Sequence, residues 1–174
     1  REDMENMAIW SNKKAWEATI AGKFKREIVP IKGLDDNGNE FMVDRDQWIR
    51  EKIEPEKMKT MMSPFKPGGV VTAATSSPLT QGACALLLMS RAKADAMGLS
   101  YKYKYSYGVL AGCDPTIMGI GPIPAIKKLV AGKKLNLEEV GAIELNEAFA
   151  SQSLACIREL KLDNENAPFK RVNV

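Results

Sequence analysis

Glu144-Leu145-Asn146-Glu147-Ala148-Phe149-Ala150-Ser151-Gln152 is the stretch that decides how this chain is read. Just upstream, Val140 to Leu145 is an apolar run of strand length. Downstream, from Glu147 to Leu160, apolar Ala148, Phe149, Leu154, Ala155, Ile157 and Leu160 recur near helical spacing. A strand that runs into a helix is the unit of α/β architecture. Working back toward the N-terminus, Pro124 to Val130 predicts a helix with proline at its start, where the missing N–H has no partner to lose. Gly119-Ile120-Gly121-Pro122 is expected to form a tight loop. Tyr101 to Val109 alternates tyrosines with Lys102, Lys104 and Ser106, the period of a strand. Arg91 to Met97 predicts a helix closed by Gly98, and the apolar run that ends at Met89 predicts a helix or strand before it.

The first part of the chain has a different character. Met4 to Ala21 predicts a helix, stopped by Gly22. Glu27 to Ile31 predicts a strand, Asp35-Asp36-Asn37-Gly38-Asn39 a turn, and Glu40 to Val43 the return strand of a hairpin. Residues 44 to 69 are charged and lack periodicity, so an irregular layer is expected there, with one short helix near Pro55 to Met61. Val70-Val71-Thr72 is extended, and Ala73 to Pro78 is a loop of small polar residues. The change of composition near residue 70 is the best boundary.

Composition removes several function classes. The chain has 174 residues, 45% hydrophobic and 27% charged, which is ordinary for a globular protein. A net charge of +3 does not argue for nucleic acid or an anionic membrane. Ala83 to Met89, the longest apolar run, is too short for a bilayer span, which takes about 20 residues. Cys84, Cys113 and Cys156 form no C-x-x-C pair, so neither a disulfide framework nor a metal site is expected. Histidine is absent, which removes Ser-His-Asp and Cys-His catalysis by these residues alone. Arg1-Glu2-Asp3-Met4-Glu5 is charged and opens without a methionine start, so the chain is expected to be an internal piece of a longer protein.

Three segments in one order resemble the thiolase family of 3-ketoacyl-CoA thiolases and acetyl-CoA acetyltransferases. Val71-Thr72-Ala73-Ala74-Thr75-Ser76-Ser77-Pro78-Leu79-Thr80-Gln81-Gly82-Ala83 is similar to the family's TAGNSS…DGA stretch. Gly112-Cys113-Asp114-Pro115-Thr116-Ile117-Met118-Gly119-Ile120-Gly121-Pro122-Ile123-Pro124-Ala125 is close to GxDPxxMGxGPxPA, and Glu144 to Gln152 carries the NEAFA-Q pattern. Thr75-Ser76 and Thr80-Gln81 depart from the usual residues at positions that are not catalytic in the family.

The resemblance implies an α/β fold of the layered αβαβα thiolase type, incomplete. Residues 1–69 would be a portion of the helical loop domain, 70–100 the end of the N-terminal domain and 101–174 the first part of the C-terminal domain. It implies thiolytic cleavage of a 3-ketoacyl-CoA by CoA, or the reverse Claisen condensation, with CoA a substrate and no cofactor. The nucleophilic cysteine is expected before Arg1. Arg171-Val172-Asn173-Val174 looks like the family's xVNxNGGAIAxGHP stopped before its histidine, with the second cysteine beyond it. The isolated chain is therefore expected to be inactive. Partners implied are CoA with 3-ketoacyl-CoA or acetyl-CoA, and a homodimer or homotetramer. The compartment implied is cytoplasmic in bacteria, mitochondrial or peroxisomal in eukaryotes.

Residue by residue, Asn146 matches the asparagine that holds an oxyanion-hole water. A neutral amide orients a water without adding charge. By its own context Asn146 also reads as a helix N-cap, and both roles can hold. Ser77 matches the serine that contacts the pantetheine arm; its plain reading is a Ser-Ser-Pro turn. Met118 matches an acyl-pocket methionine or is core filler. Ala148 and Phe149 match the pantetheine tunnel and otherwise read as core. Cys113 and Cys156 match neither family cysteine and read as small buried hydrophobes.

Other signals are weaker. Asp35 to Asn39 has the oxygens of a calcium loop, but its glycine falls at position four and position twelve is Asp46. Gly119-Ile120-Gly121 lacks the third glycine of a dinucleotide fingerprint. The Tyr/Lys run 101–105 could suit single-stranded nucleic acid, but a strand with tyrosines on one face is the expectation, without nucleic acid. The rival to a thiolase is a non-catalytic CoA-binding relative.

Overall fold

A computed structural model describes residues 1–132, 134–162 and 171–173. In chain order the elements are α1 (Glu2–Ile20), β1 (Ile31–Leu34), β2 (Glu40–Val43), α2 (Pro55–Thr60), α3 (Arg91–Ala96), α4 (Pro122–Ala131), β3 (Ile143–Glu144), α5 (Ala150–Glu159) and β4 (Val172–Asn173). Short 3-10 turns occupy Ala73–Thr75, Pro115–Ile120 and Leu137–Glu139. The chain divides into two units: Arg1–Pro78 with Gly141–Val174, and Leu79–Val140.

In the first unit, α1 opens with Glu2, Asp3 and Glu5, where negative charge meets the positive end of the helix dipole. It ends in a Schellman turn. The amides of Gly22 and Lys23 donate to the carbonyls of Thr19 and Ala18, both at 3.0 Å. Gly22 sits at φ +69, a conformation that a side chain would strain. α1 packs on α5, on α2 and on the 3-10 turn Ala73–Thr75. Met4, Met7, Met58, Ala150, Leu154, Ile157, Leu162 and Val172 supply the buried apolar side chains. The rim is tied electrostatically. Arg158 pairs with Asp3 at 2.6 Å. Arg1 pairs with Glu5 at 2.7 Å and donates to the carbonyls of Met58, Lys59 and Met61 at the end of α2, where helical carbonyls run out of amide partners.

β1 and β2 form an antiparallel hairpin, Ile31 opposite Val43 and Leu34 opposite Glu40. Its turn is closed by Asp35, whose carboxylate accepts from the amides of Asn37 (2.9 Å) and Asn39 (2.8 Å) and from the Asn39 side chain (3.0 Å). β3 and β4 are parallel, Ile143 beside Val172 and Glu144 beside Asn173. Their C-terminal ends therefore emerge side by side, the place where open α/β sheets hold ligands, and Asn146 follows directly on β3.

In the second unit, Ser90 caps α3 by accepting from the Lys93 amide at 3.2 Å, and Gly98 follows the helix at φ +64. Asp114 accepts from the Thr116 hydroxyl (2.7 Å) and amide (2.8 Å) at the start of the turn that leads to α4. Buried apolar side chains among the described residues of this unit are Ala94 and Ile123.

Several expectations need correction. The first strand of the hairpin is Ile31–Leu34, not Glu27–Ile31, because residues 22–28 finish the helix in tight turns. Tyr101 to Val109 and the apolar run ending at Met89 form no helix or strand, since no neighbouring strand supplies a ladder among the described residues. Gly119–Pro122 is not a separate loop: the 3-10 turn reaches Ile120 and α4 starts at Pro122. The strand expected over 140–145 is paired only at Ile143–Glu144 and is half-exposed. The last helix starts at Ala150, not Glu147, so Asn146 is no N-cap.

Candidate functional site

Two of the sequence motifs meet in the first unit. In the 72–76 loop the Thr75 hydroxyl accepts from the Thr72 amide at 3.1 Å and donates back to the Thr72 carbonyl at 3.2 Å, while Ser76 donates to that carbonyl at 2.7 Å. The locked loop presents the next residues to the far motif. Ser76 forms an antiparallel bridge with Phe149. Ser77 donates to the Ala148 carbonyl from its amide at 2.9 Å and from its hydroxyl at 3.1 Å. This pairing holds Phe149 extended, at φ −142 and ψ 137, which delays α5.

Asn146 is exposed, and among the described residues its side chain makes no hydrogen bond. Its neighbours are held. The Leu145 amide donates to the Asn173 carbonyl at 2.9 Å. Glu147 is half-buried; burial raises its pKa, while the nearby Ser11 hydroxyl and Lys14 ammonium pull it back. The side chain of Asn146 is thus a free amide on a fixed backbone.

A cleft of about 670 Å³ opens beside Ser76 and Ser77. Ile53, Met58, Met61, Pro64 and Phe65 give it apolar walls; Arg50, Lys52 and Lys57 bring positive charge, part of it offset by Glu54, which pairs with Lys57 at 3.8 Å. Asn12 fixes the Arg50 backbone by a two-way pairing: its amide donates to the Arg50 carbonyl (2.6 Å) and accepts from the Arg50 amide (2.9 Å). Phe149 meets this wall edge-on through Phe65, ring centroids 6.4 Å apart. Sequence reading missed the basic side chains; the only available signal was their density within the irregular 44–69 segment.

Ser77, Ala148 and Phe149 are therefore brought together, with Asn146 just before them. Met118 belongs to the other unit, where its side chain is exposed and its carbonyl accepts from the Cys113 thiol at 3.6 Å. Cys113 is partly exposed, which corrects its reading as a buried hydrophobe, and Cys84 is exposed. Cys156 is buried, and burial raises its thiol pKa against a bond from Gln152 that lowers it. Among the described residues no group of His, Cys, Asp or Glu could hold a metal ion, and no helix is long and apolar enough to cross a membrane.

The family profile for the thiolase N-terminal domain matches residues 1–92, and that for the thiolase C-terminal domain matches residues 100–174. The chain belongs to the thiolase family. It is 45% identical over 163 residues to a 3-ketoacyl-CoA thiolase of Marinobacter nauticus, covering 93% of this chain and 42% of that protein. A 3-ketoacyl-CoA thiolase of Marinomonas is 44% identical over the same coverage. An acetyl-CoA acetyltransferase structure from Bacillus anthracis superposes with a TM-score of 0.89 at 36% identity, over 99% of this chain and 42% of that one. Human mitochondrial 3-ketoacyl-CoA thiolase gives 0.87 at 31% identity, over 99% and 42%. The fold is thus an incomplete part of the thiolase α/β fold, and the thiolase chain spans 42% of the length of these relatives.

Proposed function

We propose that this chain is part of an acyl-CoA:acetyl-CoA C-acyltransferase. The reaction is thiolytic cleavage of a 3-ketoacyl-CoA by CoA, or its reverse, as in fatty acid β-oxidation. The observation that carries this reading is the pair of hydrogen bonds from Ser77 to the Ala148 carbonyl, which joins two motif segments at the mouth of a cleft with apolar walls and basic residues. That combination suits CoA. Pantetheine is a long arm with amides, and the nucleotide end carries phosphates that guanidinium and ammonium groups attract.

In this reading Ser77, Ala148 and Phe149 lie along the pantetheine arm, Arg50, Lys52 and Lys57 face the phosphates, and Met118 lines the acyl pocket. Asn146 orients the water of the oxyanion hole. CoA is a substrate, and no cofactor is needed. Histidine is absent from the 174 residues, so proton transfer at the nucleophilic cysteine falls to residues outside them, and the isolated chain is inactive. Residues 1–69 act as loop-domain portion, 70–100 as the end of the N-terminal domain and 101–174 as the start of the C-terminal one. The whole protein works as a homodimer or homotetramer, in the cytoplasm of a bacterium or in a mitochondrion or peroxisome.

The test is CoA-dependent loss of acetoacetyl-CoA with the full-length polypeptide. Turnover to acetyl-CoA supports the reading. CoA binding without turnover would leave a non-catalytic CoA-binding protein in its place.

A further inference from the structure

One cation on α1 reaches the strand end beside Asn146. The Lys14 ammonium, on α1, donates to the side-chain carbonyl of Asn173 on β4 and lies 4.2 Å from the centroid of the Trp10 ring. It is attracted to both Glu144 and Glu147. Asn173 in turn donates from its side-chain nitrogen to Glu144 at 2.6 Å, and through its main-chain carbonyl holds the Leu145 amide at 2.9 Å.

We propose that Lys14 is the positioning residue for Asn146, fixing from α1, through Asn173, the strand end that precedes it; this rests on the thiolase reading. The amide of Asn146 makes no hydrogen bond of its own among the described residues, so its direction follows from its backbone. That backbone is anchored after Asn146 by Ser77 on the Ala148 carbonyl. Before Asn146 it is anchored by Asn173, which Lys14 holds in turn. A single exposed ion pair orders little. Here the cation bonds Asn173 on β4, Asn173 bonds Glu144 on β3 and the Leu145 amide, and Glu144 and Glu147 add longer-range attraction. Lys14 is also partly buried against an aromatic face, where solvent screens it less. Its α1 position makes it independent of the bonds it reinforces.

The test uses Lys14→Met, Lys14→Arg and, from the other end of the bridge, Asn173→Leu, each in the full-length polypeptide. Thiolysis of acetoacetyl-CoA gives kcat and the KM for CoA, and amide hydrogen exchange is followed over residues 143–149. Misplacing a group by about 1 Å costs on the order of 100-fold in rate. Lys14→Met and Asn173→Leu are therefore expected to lower kcat by about 10- to 100-fold with the KM for CoA within about twofold. Exchange at 143–149 should quicken while α4 is unchanged, and Lys14→Arg should recover most of kcat. An active wild type whose Lys14→Met variant keeps its kcat overturns this inference alone. So does a kcat loss with wild-type exchange at 143–149. A full-length wild type that does not cleave acetoacetyl-CoA overturns the thiolase reading and this inference with it.

Discussion

Ser77 donates two hydrogen bonds to one acceptor, the carbonyl of Ala148, 71 positions further along the chain. The main-chain bond survives any substitution except proline, whereas the hydroxyl bond does not. Ser77→Ala should therefore lower stability by about 0.5–1.5 kcal/mol, the usual net worth of one hydrogen bond. With the serine placed along the pantetheine arm as proposed, the full-length variant should show a KM for CoA raised more than its kcat is lowered. Ser77→Pro removes the amide donor as well and should disrupt the junction. Urea titration of both variants, with steady-state kinetics, checks the order.

Asn146 separates two roles by experiment. As the holder of an oxyanion water, its loss in Asn146→Ala should cost about 100- to 1000-fold in kcat. As a helix cap it would cost about 1 kcal/mol of stability instead. The exposed side chain and the start of α5 at Ala150 favour the first: kcat should collapse while the unfolding midpoint stays in place. A shifted midpoint with near-normal kcat would refute the catalytic assignment.

Ile157 is fully buried in the first unit, on the face of α5 where Ala150, Ser153, Leu154 and Cys156 are also buried. Ile157→Ala removes buried methylenes and leaves a cavity, at a cost of about 2–5 kcal/mol; Ile157→Val should cost about 0.5–1.5 kcal/mol. Thermal melts of the full-length variants check this, and a smaller effect for the alanine would mean the site collapses to fill the gap.

How much of this could be read from residues alone depends on where the determinants lie. α1, α2, α3 and the return strand of the hairpin were legible because their signals are local: an acidic first turn, Pro55 at a helix start, Ser90 and Gly98 around α3, Gly38 in a turn. The start of α5 was not. Ala148 and Phe149 fit a helix by spacing, and only a loop near Ser76 and Ser77, distant in sequence, keeps them extended. Tyr101 to Val109 has the alternation of a strand, but alternation describes two faces and does not supply a partner. Of the candidate site, Ser77, Ala148 and Phe149 lie together in the first unit. The charge of Arg50, Lys52 and Lys57 gathers only once α2 and the loop before it fold around a cleft.

Glu147 gives a pH signature. Burial raises its folded-state pKa above the ordinary carboxylate value, so between the unfolded and folded values the folded protein holds more protons than the unfolded one. Stability then falls as pH rises through that window, starting near 4.5. Glu147→Gln keeps the size of the side chain but does not titrate, so this fall should disappear from the pH profile of the urea midpoint. An unchanged profile would place the carboxylate in water.

Exposed apolar groups make the last prediction. Leu86 and Leu87 are 86% and 85% exposed, Leu110 and Tyr103 each 90%. The segments that carry them pair in no strand among the described residues. Free strand-like backbone and contiguous leucines promote association between chains. The isolated 174-residue chain should therefore self-associate at micromolar concentration and melt without a cooperative transition, as followed by light scattering and calorimetry. Replacing Leu86, Leu87 and Leu88 by serine should reduce the association, because it removes apolar surface without touching the Ser77–Ala148 junction. A monodisperse wild-type chain with one sharp melting transition would show that these segments find their own cover, and the leucine substitutions would then be expected to destabilise it.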